Sequence, residues 1–129
     1  MTAMAEEICA RDEHGLRHVV DRVHDLWLDL EQVRFDEAAG LLIVGILDEA
    51  CYREARSARH SNSKASFTMT FARVKSVHIQ DTERIRFYDV DSIKYEPGVG
   101  VVTISTGIPL GFHIRVSDLD LTLRRIASI

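Results

Sequence analysis

Between residues 16 and 27 apolar side chains recur every three to four positions: Leu16, Val19, Val20, Val23, Leu26 and Trp27. At about 100° per residue they fall on one stripe of a helix. Asp12 stands where an N-cap is needed, so the pattern predicts an amphipathic helix over about 13–27. The period then changes to two. Leu28 and Leu30, then Val33 and Phe35, alternate with Asp29, Glu31, Arg34 and Asp36. The phase slips between Leu30 and Val33, which predicts a bulge. Gly40 closes the following turn and is expected at positive φ. Leu41–Leu47 is apolar on both faces, so something must cover each face. The helix can cover one. A second sheet or a second copy of the chain must cover the other.

Further alternations follow at Phe67, Met69 and Phe71, at Val77 and Ile79, at Ile85 and Phe87, and at Phe112, Ile114 and Val116. The stretch 118–126 reads two ways, because Leu119, Leu123 and Ile126 have helical spacing while Asp118–Leu123 alternates strictly; the alternation favours a strand. Residues 1–12 show no period and are expected to fray. Residues 53–66, REARSARHSNSKAS, are polar and basic and read as a mobile loop. The fold class is therefore α+β. One N-terminal amphipathic helix packs on a curled antiparallel sheet of about seven or eight strands, a partial barrel or a sandwich.

One pattern occurs twice. LDLEQVRFDEAAGLLIV at 28–44 matches YDVDSIKYEPGVGVVTI at 88–104 in residue class at nine positions, from Leu30/Val90 to Val44/Ile104, with Asp29/Asp89 and Gly40/Gly100 identical as well. Each copy reads as a hairpin. Outside these windows the match fades, because the helix 16–27 aligns with strand-like 76–87. Convergence or a very old duplication is favoured over a functional repeat.

Composition narrows the class. A chain of 129 residues, 46% hydrophobic and 28% charged, suits one globular domain spanning 1–129. A net charge of −4 argues against general nucleic-acid binding. The N-terminus lacks an apolar signal region, and the dense apolar run 38–47 is too short to span a bilayer. A cytoplasmic protein is expected, with no membrane contact and with Cys9 and Cys51 as reduced thiols rather than a disulfide.

Candidate chemistry is sparse. His14, His18, Asp21 and Asp25 form a second stripe opposite the apolar one. Two imidazoles at i, i+4 can chelate a divalent metal. A row three turns long cannot place four ligands on one ion, so a solvated face is expected and no metal is assigned. Arg53, Arg56, Arg59 and Lys64 could bind an anion, but no aromatic is interleaved among them to stack on bases. Gly98, Gly100, Gly107 and Gly111 match no phosphate loop and are expected in turns. Asp81, Glu83, Asp89 and Asp91 concentrate acid between strands, where loop solvation is the commoner role. No GxSxG is present, and Glu49 near Cys51 disfavours a thiolate. These features carry no catalytic site and no cofactor. They predict a small soluble, non-enzymatic protein acting through protein contacts, self-associating as a homodimer and meeting a further protein partner of unknown identity. The alternatives are a metal- or ligand-binding enzyme built on the helix stripe and an anion-binding module built on the basic loop.

Overall fold

In the computed structural model, residues 6–57 and 64–126 are described. Helix α1 spans Glu13–Val23. The Asp12 carboxylate accepts the Gly15 N–H at 2.8 Å, and Leu16, Val19 and Val23 are buried. The helix stops four residues before its expected end. Asp25 takes φ 67° and turns the chain, a conformation its short polar side chain tolerates. Leu26 and Trp27 extend the apolar spacing only by coincidence, and Trp27 opens a strand.

The described residues form nine strands and two helices, where the sequence predicts seven or eight strands and one helix. One additional element is β1, Glu7–Ala10, which pairs with the C-terminal strand through Glu7↔Arg124 to Ala10↔Leu121. Fraying is thus wrong for residues 6–12, while 1–5 lie outside the described residues. Four residues are too few to show a period, and the strand is held by partners far along the chain. Arg124 binds Glu7 at 2.8 Å, and Arg22 binds Glu6 at 2.6 Å. The other is α2, Glu49–Ser57, which replaces the start of the expected basic loop. The Asp48 carboxylate accepts the Cys51 N–H at 2.9 Å and caps it. Residues 58–63 of that loop lie outside the described residues. Ser66, at its far end, is buried and accepts the Asp48 N–H at 2.9 Å.

The remaining strands are β2 (Trp27–Asp36), β3 (Leu41–Leu47), β4 (Phe67–Phe71), β5 (Val74–Gln80), β6 (Phe87–Glu96), β7 (Val101–Thr106), β8 (Gly111–Val116) and β9 (Leu121–Arg125). Strand wins over helix at the C-terminal end, where Leu121 and Leu123 face the core and pair with Phe71 and Met69. The antiparallel ladder runs β1-β9-β4-β3-β2-β6-β7-β8-β5 and is open. Its last strand, β5, nevertheless follows β4 after only Ala72 and Arg73, and β9 follows β8 after four residues. The two corners are bonded to each other, Ala72 N–H to the Asp120 carbonyl at 2.8 Å and Ser117 N–H to the Arg73 carbonyl at 3.0 Å. A sheet with these constraints must curl. Its inner face holds Leu42, Val44, Ile46, Met69, Phe71, Ile104, Phe112, Ile114 and Leu121, all fully buried. None of the described helices is long and apolar enough to cross a membrane.

The outer face of β3 is covered from within the chain. The Gln32 side chain lies over Gly45, α2 lies against β3, and Leu47 is fully buried. Ile43 alone among its outward residues is substantially open, at 38%. The chain itself thus covers the Gly45 and Leu47 end of this face and leaves Ile43 open.

The repeat has a geometric basis. β2 and β6 pair through Trp27↔Asp89, Leu28↔Tyr88 and Asp29↔Phe87, so a local twofold axis passes between Leu28 and Tyr88 and exchanges Trp27 with Phe87 and Asp29 with Asp89. Gly40 and Gly100 both take φ 66°, and their carbonyls accept the N–H groups of Val74 and Val116, each at 2.9 Å. Val74 and Val116 in turn pair with each other. Chance resemblance between two hairpins gives no reason for their pairing to centre on the equivalent positions Leu28 and Tyr88. The relation also extends to the bent strands β4–β5 and β8–β9, past an α2-bearing connection that has only a short counterpart at 107–110. Convergence is the weaker reading.

Candidate functional site

β2 and β6 stay paired for only three residues each, and then the two hairpins splay apart. From Ser92 to Glu96, β6 is bonded to β7 on one side. Among the described residues no strand pairs with its other edge. Helix α1 lies along that edge. Its C-terminal end is tied to β6 where the Asp25 N–H meets the Val90 carbonyl at 3.0 Å and His24 Nδ1 meets the Asp91 carbonyl at 2.9 Å.

Between helix and edge runs a groove of about 490 Å³. One wall is Ser92, Ile93, Lys94, Tyr95 and Glu96, five successive residues. A hollow on a sheet face would be lined by alternate residues, because side chains alternate in direction. Successive lining means that the groove abuts the strand edge, where backbone N–H and C=O groups project. The other wall is Glu13, Leu16, Arg17, Val20 and Asp21, spaced as one face of a helix. Leu16 and Ile93 are buried at the base, and Val20 and Tyr95 are half-buried. Charge lies on the rim. Arg17 reaches Glu13 at 3.8 Å, and Asp21, Lys94 and Glu96 complete it. A second recess, about 380 Å³ between Gln80 and Thr103–Thr106, is lined by no titratable side chain.

The start of the β2–β6 pairing carries the strongest polar chemistry. Asp29 is fully buried. Arg86 grips its carboxylate with Nε at 2.8 Å and Nη2 at 2.9 Å, while Gln32 and the Glu31 N–H donate at 3.0 Å each. Burial is the largest single influence on this carboxyl and pushes its pKa up. The bonds from Arg86, Gln32 and the Glu31 N–H together outweigh it, so the pKa lies below the ordinary carboxylate value. Trp27 stacks on Tyr52 of α2 at 3.8 Å, and Phe87, the counterpart of Trp27 across the axis, meets Tyr52 edge-on at 5.4 Å. Arg86 covers Phe87, and Trp27 Nε1 donates to Glu49 at 3.3 Å. These rings fasten α2 to the sheet.

Tyr88 is fully buried beside the axis, with its hydroxyl donating to Asp81. Burial, then the Asp81 carboxylate, push its pKa up to about 12. A phenol whose folded pKa lies above its unfolded value contributes fully below the unfolded value, about 10. That contribution drains as the pH rises from there towards about 12. Unfolding free energy should therefore fall over this alkaline interval, by about 1.4 kcal/mol per pKa unit. Tyr88→Phe should be weaker at neutral pH but free of that loss, which paired denaturant titrations across the interval would measure.

The sequence candidates do not converge. His14 and His18 meet ring to ring, Asp21 lines the groove, and Asp25 sits 3.5 Å from His24. Among the described residues no group of three or more His, Cys, Asp or Glu is spaced to hold a metal. Arg53 binds Glu49 at 3.1 Å, Arg56 lies over the Tyr52 ring, and Lys64 is exposed. Arg59 lies outside the described residues. The acidic residues serve separate loops: Asp81 accepts the Arg84 N–H, and Asp89 accepts the Ile108 N–H. Cys9 and Cys51 are free thiols. Burial, then Asp48 and Glu54, push the Cys51 thiol up, against a lowering bond from Ser66. The carboxylates responsible are thus not Glu49, the one the sequence suggests. The groove itself was invisible in the sequence, although Leu16, Val20, Ile93 and Tyr95 were all legible as apolar positions.

Comparison with protein-family models, with curated proteins and with solved structures finds no match for this chain.

Proposed function

We propose that this is a non-enzymatic binding module that takes an extended segment of a partner protein into the α1–β6 groove as an added strand. The carrying observation is the pair of walls, one a strand edge lined by successive residues and the other a helix face. This is the geometry of β-strand addition, in which backbone bonds give affinity and alternate side chains give specificity. The dimensions agree. Eight residues of rise from Glu13 to Asp21 span about 12 Å, and four strand steps from Ser92 to Glu96 span about 13 Å. A guest of about four or five residues fits, with its alternate side chains against Leu16, Val20, Ile93 and Tyr95. The groove is lined by no His or Cys, which favours binding over acyl or thiol chemistry. On this reading the curled sheet is a partial barrel, left unclosed beside β6 and plugged by α1. Action in the cytoplasm, with both cysteines reduced, belongs to the same proposal. A dimer through β3 does not, because the chain itself covers the Gly45 and Leu47 end of that face.

The test is selection from a displayed random-peptide library, followed by affinity measurement on purified variants. Selected peptides should share a short alternating apolar core. Val20→Arg, which fills the groove from a half-buried position, should weaken them at least tenfold, about 1.4 kcal/mol. Ile43→Arg, on the outer face of β3, should leave affinity unchanged. Peptides lost on Ile43→Arg and indifferent to Val20→Arg would place recognition elsewhere.

A further inference from the structure

We infer that His14 and His18 form a two-ligand site for a divalent transition metal, one ion per chain, independent of the groove. Both imidazoles are exposed and stand one turn apart on α1, with their Nε2 atoms 3.4 Å apart. Two nitrogens bound to one tetrahedral ion at about 2.0–2.1 Å lie about 3.3–3.4 Å from each other. The ring centroids are 4.8 Å apart and the ring planes stand at 90°, so the two imidazoles meet edge to face with their Nε2 atoms the nearer pair.

The supporting helix is rigid where it matters. Asp12 caps it one residue before Glu13, and Leu16 and Val19, which lie between and beside the two histidines, are buried. The helix therefore holds the two positions one turn apart on one exposed face before the metal arrives. The absence of a third ligand among the described residues makes the site open, with the remaining positions left to water. Imidazole donors suit zinc, copper and nickel over magnesium or calcium. An open, exposed site of this kind exchanges its ion, unlike the closed four-ligand sites that hold folds together.

The experiment is isothermal titration of zinc chloride into untagged, chelator-treated protein, repeated with nickel chloride. One ion per chain should bind. His14→Gln and His18→Gln should each abolish binding, while His24→Gln and His113→Gln should not. Both site positions are exposed, so the metal-free melting temperatures should match the parent, which keeps a folding defect from imitating a lost ligand. Zinc should raise the melting temperature of the parent, His24→Gln and His113→Gln but not of His14→Gln or His18→Gln, since the ion binds the folded helix. Binding that survives both His14→Gln and His18→Gln, or no binding by the parent, would overturn the assignment. Neither result bears on the groove, whose walls do not include these two residues.

Discussion

Replacing Val23 by aspartate should leave the chain unfolded at room temperature. Val23 is fully buried on the last turn of α1 and belongs to the core cluster that includes Leu28, Val90 and Ile93. The substitution removes an apolar burial contributing about 1.5–3 kcal/mol. It also places a carboxylate among buried apolar side chains, at several kcal/mol more. Together these rival the whole stability of an ordinary domain, about 5–15 kcal/mol. Arg17→Gln, an equally helical but exposed position, should change stability by about 0.5 kcal/mol or less. Circular dichroism with thermal melting separates the two, and a Val23→Asp protein melting like the parent would mean that α1 does not pack on the sheet.

Asp29→Ala should cost about 1.5–3 kcal/mol, because it removes the carboxylate that Arg86 grips at two points, although the guanidinium keeps its ion pair with Glu31. The equivalent change across the twofold axis, Asp89→Ala, should cost only about 1 kcal/mol, since Asp89 accepts backbone N–H at a more open position. Arg86→Leu combined with Asp29→Ala should recover part of the loss. The pH dependence has a definite sign. The folded pKa of Asp29 lies below its unfolded value, so its contribution is present above the ordinary carboxylate range. The contribution is lost as the pH falls through the depressed folded value. The parent should therefore lose stability in acid more steeply than Asp29→Ala. Denaturant titrations of the four proteins at neutral and acidic pH would measure both effects, and equal losses at Asp29 and Asp89 would contradict the account.

Much of this architecture was legible in the sequence, and the failures have physical causes. The apolar stripe placed α1, and the phase slip after Leu30 marked the register shift seen between Asp29 and Val33. Gly40 announced its positive φ. β1 escaped because four residues carry no measurable period and its pairing lies more than a hundred residues away. α2 escaped because its arginines and serines resemble a loop, although Asp48 as cap with Glu49 four residues before Arg53 is a helix signal. The buried Asp29 looked like a solvated alternate position, since nothing local announces that Arg86 will reach it. The groove escaped for a deeper reason. It exists because β2–β6 pairing stops after three residues, and the sequence of β6 alone does not say where a neighbouring strand ends.

The central claim is that the free edge of β6 is the binding surface, and amide hydrogen exchange tests it most directly. A peptide selected on the parent protein should slow exchange within Ser92–Glu96, because a new strand supplies partners to that edge. Exchange around Gln80 and Thr103–Thr106, the second recess, should be unchanged. If bound peptide instead protects the second recess or α2 and leaves Ser92–Glu96 as fast as in the free protein, the groove is not where this protein binds.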